Sequence, residues 1–200
     1  MFMSPMKSLH NIAGEGSLIG KLIIAMPGQT ERRFARSLVY VCAHSRQGAM
    51  GLVVNRPNEH GITFRDLLRQ LAIPARGAPR PVPVQYGGPV EGGRGFVLHT
   101  ADYHTKNTTI NVTPEVGLTA TIEILKELAG GGGPKNAVLA LGYAGWAAGQ
   151  LETEIQKNNW LPCDADHQLL FGGDLPSKWE LAIRKLGVDP SKLTSTQGRA

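Results

Sequence analysis

The tightest constraint on this chain is the spacing of its first apolar runs. KLIIAM (21–26), SLVYVC (37–42) and AMGLVVN (49–55) are short, rich in β-branched and apolar residues, and punctuated by Gly or Pro, the composition of strands. Only residues 43–48 separate the second run from the third, and so short a Gly-containing connection joins antiparallel strands. A helix follows. Phe64, Leu67, Leu68 and Leu71 fall at i, i+3, i+4 and i+7, one helical face. Thr63 stands as its N-cap with Asp66 three residues on, and Pro74 marks its end.

Beyond a Pro/Arg-rich loop at 75–83, VPVQY (82–86) and GFVLH (95–99) read as strands around a glycine-rich turn, and TTINV (108–112) as another. A second helix is expected over 121–129, stopped by Gly130–Gly133 and Pro134. NAVLALGY (136–143) is apolar enough for a central strand. A helix is expected over 147–155 and a short strand over 169–171. The last helix, near 178–186, opens on a Ser177/Glu180 capping box and closes on Gly187. Strands and helices are interleaved without strict βαβ alternation. The expectation is a single α+β domain at 17–200 with a mostly antiparallel sheet, preceded by a flexible leader at 1–16.

Composition narrows the class. Two cysteines in 200 residues, Cys42 and Cys163, make no disulfide framework. No run approaches the ~20 apolar residues that span a bilayer, and 1–16 lacks the apolar core of a signal peptide. A cytoplasmic protein without a membrane partner is expected. The net charge of +5 is uneven, +7 over 1–100 against −2 over 101–200. Such asymmetry can mark a phosphate or nucleic-acid footprint, but only Arg32, Arg33 and Arg36 cluster, and scattered solvated arginines account for the rest. No helix-turn-helix unit is legible.

Motif searches exclude more than they find. A Walker A loop, a G-x-S-x-G elbow, HExxH and an EF-hand loop are all missing, and no cofactor is expected. Gly142, Gly145 and Gly149 sit between strand and helix without the G-x-G-x-x-G spacing of a dinucleotide fold. Cys42/His44 and Cys163/His167 lack common zinc spacings, so no metal is expected; Cys42 and His44 would share a face of a continuing strand. Glu152 and Glu154, two apart on a helix, diverge. The segment Gly87-Gly88-Pro89-Val90 leading to Arg94 is the most unusual: glycines permit close approach of a ligand, and an arginine can grip an anion. A tight turn explains the same glycines.

Several blocks in order resemble one family. They are GKLIIAMP (20–27), FARSLVY (34–40) with His44, GAMGLVVNRP (48–57), GGPV (87–90) with RGFVLH (94–99), and GYAGW (142–146) with GQLE (149–152), Glu154-Ile155 and Trp160-Leu161. Together these resemble the AlgH/YqgE family of bacterial proteins. The family often carries an acidic residue before the histidine, where this chain has Ala43, and ends Gly-His-Ala where this chain ends Gly198-Arg199-Ala200. The resemblance implies a mixed sheet curled into a pseudo-barrel with helices outside. It implies a label of transcriptional regulator and no agreed catalytic residues. The expected function is therefore a non-enzymatic regulatory or binding role, toward a protein or small ligand and only secondarily a nucleic acid. The candidate surface is Asn55, Arg56, Pro57, Gly87, Gly88, Pro89, Arg94, His99, Trp146 and Gln150. The alternatives are an enzyme or small-ligand binder using the Gly-rich groove, or an enzyme using Cys42/His44 as nucleophile and base, and a structural scaffold.

Overall fold

The computed structural model describes residues 16–29, 31–75 and 81–193. The expected leader, apart from Gly16, and the middle of the 75–83 loop lie outside the described residues. Among these residues nine strands run β1 Lys21–Ala25, β2 Leu38–Ser45, β3 Gly48–Val53, β4 Val84–Tyr86, β5 Val90–Thr100, β6 Thr109–Thr113, β7 Val116–Thr119, β8 Ala137–Ala147 and β9 Trp160–Asp164. The α-helices among them are α1 Phe64–Gln70, α2 Ile122–Ala129, α3 Gln150–Gln156, α4 His167–Phe171 and α5 Lys178–Lys185.

The strands form one sheet in the order β6-β7-β5-β8-β3-β2-β1-β9, antiparallel at every pairing on that path, with β4 added parallel to β8. The β2–β3 hairpin forms as the short linker requires. Alternation along the strands sorts side chains to two faces. Leu22, Ile24, Leu38, Tyr40, Leu52, Phe96 and Leu98 gather on the inner face beneath Leu169, Leu170, Trp179 and Ile183 of α4 and α5. Ile23, Val39 and Val41 pack outward with Leu151 of α3, Trp146 and Trp160. Phe64 and Leu68 of α1 and Leu125 and Leu128 of α2 cover Val97 and Leu139. The sheet curls into a half-barrel, so that Thr113 of β6 comes against Gly20 at the start of β1. The α+β architecture, mostly antiparallel and curled, stands as expected.

Local signals decide several boundaries. Thr63 and Asp66 form a reciprocal capping box on α1. Gly187, at φ +74°, closes α5, its N–H on Arg184 O and that of Val188 on Ile183 O, a Schellman pair. Ser177 does not cap α5. Its backbone is already helical and its side chain makes no cap bond; it instead donates to Asp174 O.

Three further readings are corrected. Residues 169–171 lie in α4 rather than in a strand, because the Asp166 carboxylate accepts from Leu169 N–H and starts a helical turn. Strand β8 runs through the expected Gly junction as far as Ala147, and α3 therefore begins later, at Gln150. The glycine-rich segment is not a hairpin turn. Strands β4 and β5 do not pair with each other; both pair with residues 139–141 of β8, on opposite edges.

Between Tyr86 and Val90 the chain must therefore cross from one edge of β8 to the other. Gly88 lies on the β8 backbone, where a Cβ would sit 2.1 Å from the Tyr143 carbonyl carbon, and Gly142 answers it with φ +74° and Gly88 O at 2.4 Å from its own missing Cβ. The glycines do permit close approach, and what approaches is the protein's own backbone. After crossing, β5 pairs at Val90↔Tyr143 and next at Gly95↔Leu141. Five residues of β5 span two of β8, so 91–94 bulge out of the ladder.

Candidate functional site

The bulge carries Arg94 and creates a groove of about 350 Å³, the small end of the range for ligand sites. Its walls are Met50 from β3, Val90 and Phe96 from β5, and Tyr143 and Trp146 from β8, with Gly48 and Gly145 keeping the backbone bare. Phe96 and Tyr143 meet edge to face at 5.7 Å. Among the lining residues Arg94 carries the formal charge, and no Cys, His, Ser or carboxylate is present. The guanidinium lies 5.1 Å from the Phe96 ring centroid. Its Nη1 donates to Glu91 Oε2 at 3.0 Å, and its Nε–H is buried with no acceptor. Burial raises the Tyr143 phenol above its usual range, with Glu91 adding and Arg94 opposing.

Of the ten residues expected on one surface, the structure gathers only some. Arg94 and Trp146 line the groove. Gly87 and Gly88, with Pro89 between Gly88 and Val90, form the crossing beside it, where Gly87 N–H donates to Leu141 O and Gly87 O accepts from Val53 N–H. Gln150 lies behind Trp146: its Nε2 donates to Glu154 Oε1, while Trp146 Nε1 and Trp160 Nε1 both donate to Glu154 Oε2 at 3.1 and 2.8 Å. One carboxylate thus fixes the indole that forms a groove wall. In the sequence the one sign of this role is the helical i, i+4 spacing of Glu154 from Gln150.

Asn55 is buried, and its amide ties Leu38 N–H at 2.7 Å and Arg36 O at 2.9 Å, holding β2 to the end of β3. Arg56 donates to Ala35 O, and Pro57 forms an isolated bridge with Gln85. His99 has no exposed surface. Its Nδ1–H donates to Thr100 O and its Nε2 accepts from the Thr119 hydroxyl, both at 2.9 Å. Its ring fills the space over Gly117, where a Cβ would stand 2.5 Å from Cε1. Burial holds this imidazole below its ordinary range.

Cys42 and His44 do not share a face. Val41 pairs with Gly51 and Ala43 with Met50, so Cys42 is an extra residue, a bulge that reverses the alternation after it. Cys42 points into the inner core, and burial pushes its thiol up to about 12. His44 turns the other way: its Nδ1 accepts from Leu18 N–H at 3.1 Å, which leaves Nε2–H to donate to Glu152 Oε1 at 2.8 Å. Burial alone would raise the Glu152 carboxyl; its own backbone N–H and the imidazole outweigh this and hold it below the usual range. The carboxylate partner of His44 therefore comes from α3. Glu152 and Glu154 diverge to separate partners, as their spacing requires. Cys163 is buried in β9, its thiol pushed up to about 11, and His167 packs on Phe171. Among the described residues no three His, Cys, Asp or Glu side chains converge as a metal site.

One buried ionisable group had no sequence signal beyond its type. Lys178, 1% exposed, donates through Nζ to Val54 O at 2.9 Å and Leu170 O at 3.2 Å. Desolvation lowers it to about 8.

Comparison with known proteins follows the same architecture. The AlgH-like family model (DUF179) matches residues 22–191. A UPF0301 protein of Bradyrhizobium diazoefficiens is 52% identical over 192 residues, covering 92% of this chain and 89% of the relative. Another from Azorhizobium caulinodans is 52% identical over 202 aligned positions, covering 97% and 98%. The solution structure of AlgH from Pseudomonas aeruginosa matches with a TM-score of 0.76 at 37% identity, covering 96% of this chain and all of that one. A Corynebacterium diphtheriae protein, at 19% identity and a TM-score of 0.65, shares the fold. A family model that runs from β1 to beyond α5, relatives identical at half their positions, and a solved structure with the same curled sheet agree that this chain belongs to the AlgH-like family.

Proposed function

We propose that this protein is a regulatory binding protein of the bacterial cytoplasm, acting by recognition rather than catalysis, and that the groove between β3, β5 and β8 is where it recognises its partner. The supporting observation is the groove's chemistry: an aromatic and aliphatic lining around one arginine whose buried Nε–H has no acceptor. A buried donor left unmade costs about 1–3 kcal/mol, a cost that a bound acceptor removes. No Cys, His, Ser or carboxylate lines it. The free, buried thiols of Cys42 and Cys163 fit a reducing compartment, and no helix among the described residues is long and apolar enough to cross a membrane.

An effect on transcription would pass through that ligand or a protein partner. The cations of α5 are already committed, Lys185 to Asp166 and Arg184 beside Glu180, and a helix so occupied is poorly suited to read a DNA groove. Titrating the ¹⁵N-labelled protein with a small-molecule extract of bacterial cells tests the reading. Shifts are expected in the amides of Met50, Arg94, Phe96 and Trp146 and are expected to vanish in Val90→Trp, which obstructs the mouth. Shifts confined to other parts of the sheet, or none, would overturn it.

A further inference from the structure

We infer that the groove takes a small monoanionic carboxylate with an aromatic or branched apolar body, gripped by the Nε/Nη2 edge of Arg94. The inference rests on the groove reading above and narrows it to a ligand class. Three observations carry it. The first is size: about 350 Å³ holds a single ring or short branched chain rather than a whole dinucleotide. The second is lining: Met50, Phe96, Tyr143 and Trp146 offer flat and polarizable surface that suits an aromatic ring or a branched alkyl group.

The third is how Arg94 is held. Glu91 occupies Nη1, and the guanidinium carbon stands over the Phe96 ring, 5.1 Å from its centroid. Nε–H has no acceptor. The guanidinium presents its donors as fixed forks; with Nη1 engaged, the free fork is Nε–H with Nη2–H. That fork matches the two oxygens of one carboxylate. Nε is itself closed off from water, so the bound oxygen reaches it only as the exposed part of the 91–94 bulge shifts. Gly92 and Gly93, with open space around them, give that bulge its freedom. Glu91 also selects charge: it is paired with the arginine at the rim, and a dianionic phosphate would meet about twice the repulsion from it that a single carboxylate meets.

The test is a ¹H–¹⁵N titration of the full chain with benzoate, benzamide and inorganic phosphate in parallel. Benzoate is expected to shift the groove amides saturably and to bind about tenfold or more tightly than benzamide, which has the same ring without the charge. Arg94→Lys, which keeps the charge and loses the fork, is expected to erase most of that difference, with an otherwise unchanged spectrum showing that it folds. Equal binding of benzoate and benzamide in the groove would overturn the carboxylate class and leave the groove reading standing. Phosphate binding at Arg94 as tightly as benzoate would replace carboxylate by phosphate. Silence at the groove from all three probes would overturn the inference, while the extract titration decides the broader reading on its own.

Discussion

The two ends of β5 carry residues of similar promise and opposite fate. Arg94 and His99 lie five positions apart on one strand. At the His99 end the ladder is regular, β7 and β8 flank the strand, and the imidazole is sealed among Thr100, Thr119 and Gly117 with both ring nitrogens satisfied. At the Arg94 end the ladder is broken by the bulge, and the guanidinium keeps a donor with nothing to donate to. The difference teaches that a polar side chain in a strand is structural when the neighbouring strands complete its hydrogen bonds. It becomes available for recognition when an irregular ladder withholds them.

The largest effect that would break this comparison lies in the glycines of the crossing. Gly88→Ala places a Cβ inside the β8 backbone at a positive φ, and a loss above about 4 kcal/mol or failure to fold is expected by urea denaturation. Gly92→Ala, four residues on with open space around it, is expected to stay within about 0.5 kcal/mol. Similar losses at both would mean that the crossing is not what demands glycine.

Lys178 provides the next contrast, a buried cation with carbonyl partners and no carboxylate. Its folded-state value of about 8 lies below its ordinary 10.5, so the unfolded chain binds the extra proton between those limits. The Lys178 contribution to stability should therefore rise from pH 8 to 10.5, by on the order of 3 kcal/mol, against the opposite trend of the raised Cys42 and Cys163 thiols. The stability difference between wild type and Lys178→Met isolates it and should grow by that amount across the window; a difference independent of pH would contradict the burial argument.

Smallest and sharpest is the comparison along β5 itself. His99→Leu removes the imidazole bonds to Thr100 O and to the Thr119 hydroxyl, which keeps only Thr109, and should cost about 1–3 kcal/mol, whereas Arg94→Met should cost under about 1 kcal/mol, its ion pair with Glu91 being at the rim. The histidine adds a pH signature. Its folded-state value is lowered, so its contribution is full above the ordinary 6.5 and is lost as pH falls below it. His99→Leu should remove that part of the acid sensitivity and Arg94→Met should leave it intact, measured by chemical denaturation from pH 7 to 5.

Much of the framework was legible because its causes are local. The β2–β3 hairpin follows from a six-residue connection, α1 from an apolar stripe and a capping box, the end of α5 from Gly187, and β8 from a continuous apolar run. These depend on neighbours within one or two turns of chain. Strands β7 and β9 were not legible: VGLT and WLPCD have no period of their own and are extended because an adjacent strand offers partners. The LLF run satisfied a short strand and a helical turn alike, until Asp166 decided for α4.

For the site, the residue types were visible in the sequence and their grouping was not. Arg94, Trp146 and the Gly87-Gly88 crossing do come together around β8. His99 and Asn55 are consumed by the fold, and one extra residue at Cys42 sends His44 to the opposite face. By itself the sequence determined which segments are strands and helices wherever propensity, periodicity and caps act within a few residues. Only the tertiary structure decided where the ladder breaks, which backbone the glycines must let pass and which polar groups, Arg94 Nε among them, are left without a partner. Those outcomes depend on register between strands distant in sequence, and a shift of one residue there exchanges inside for outside.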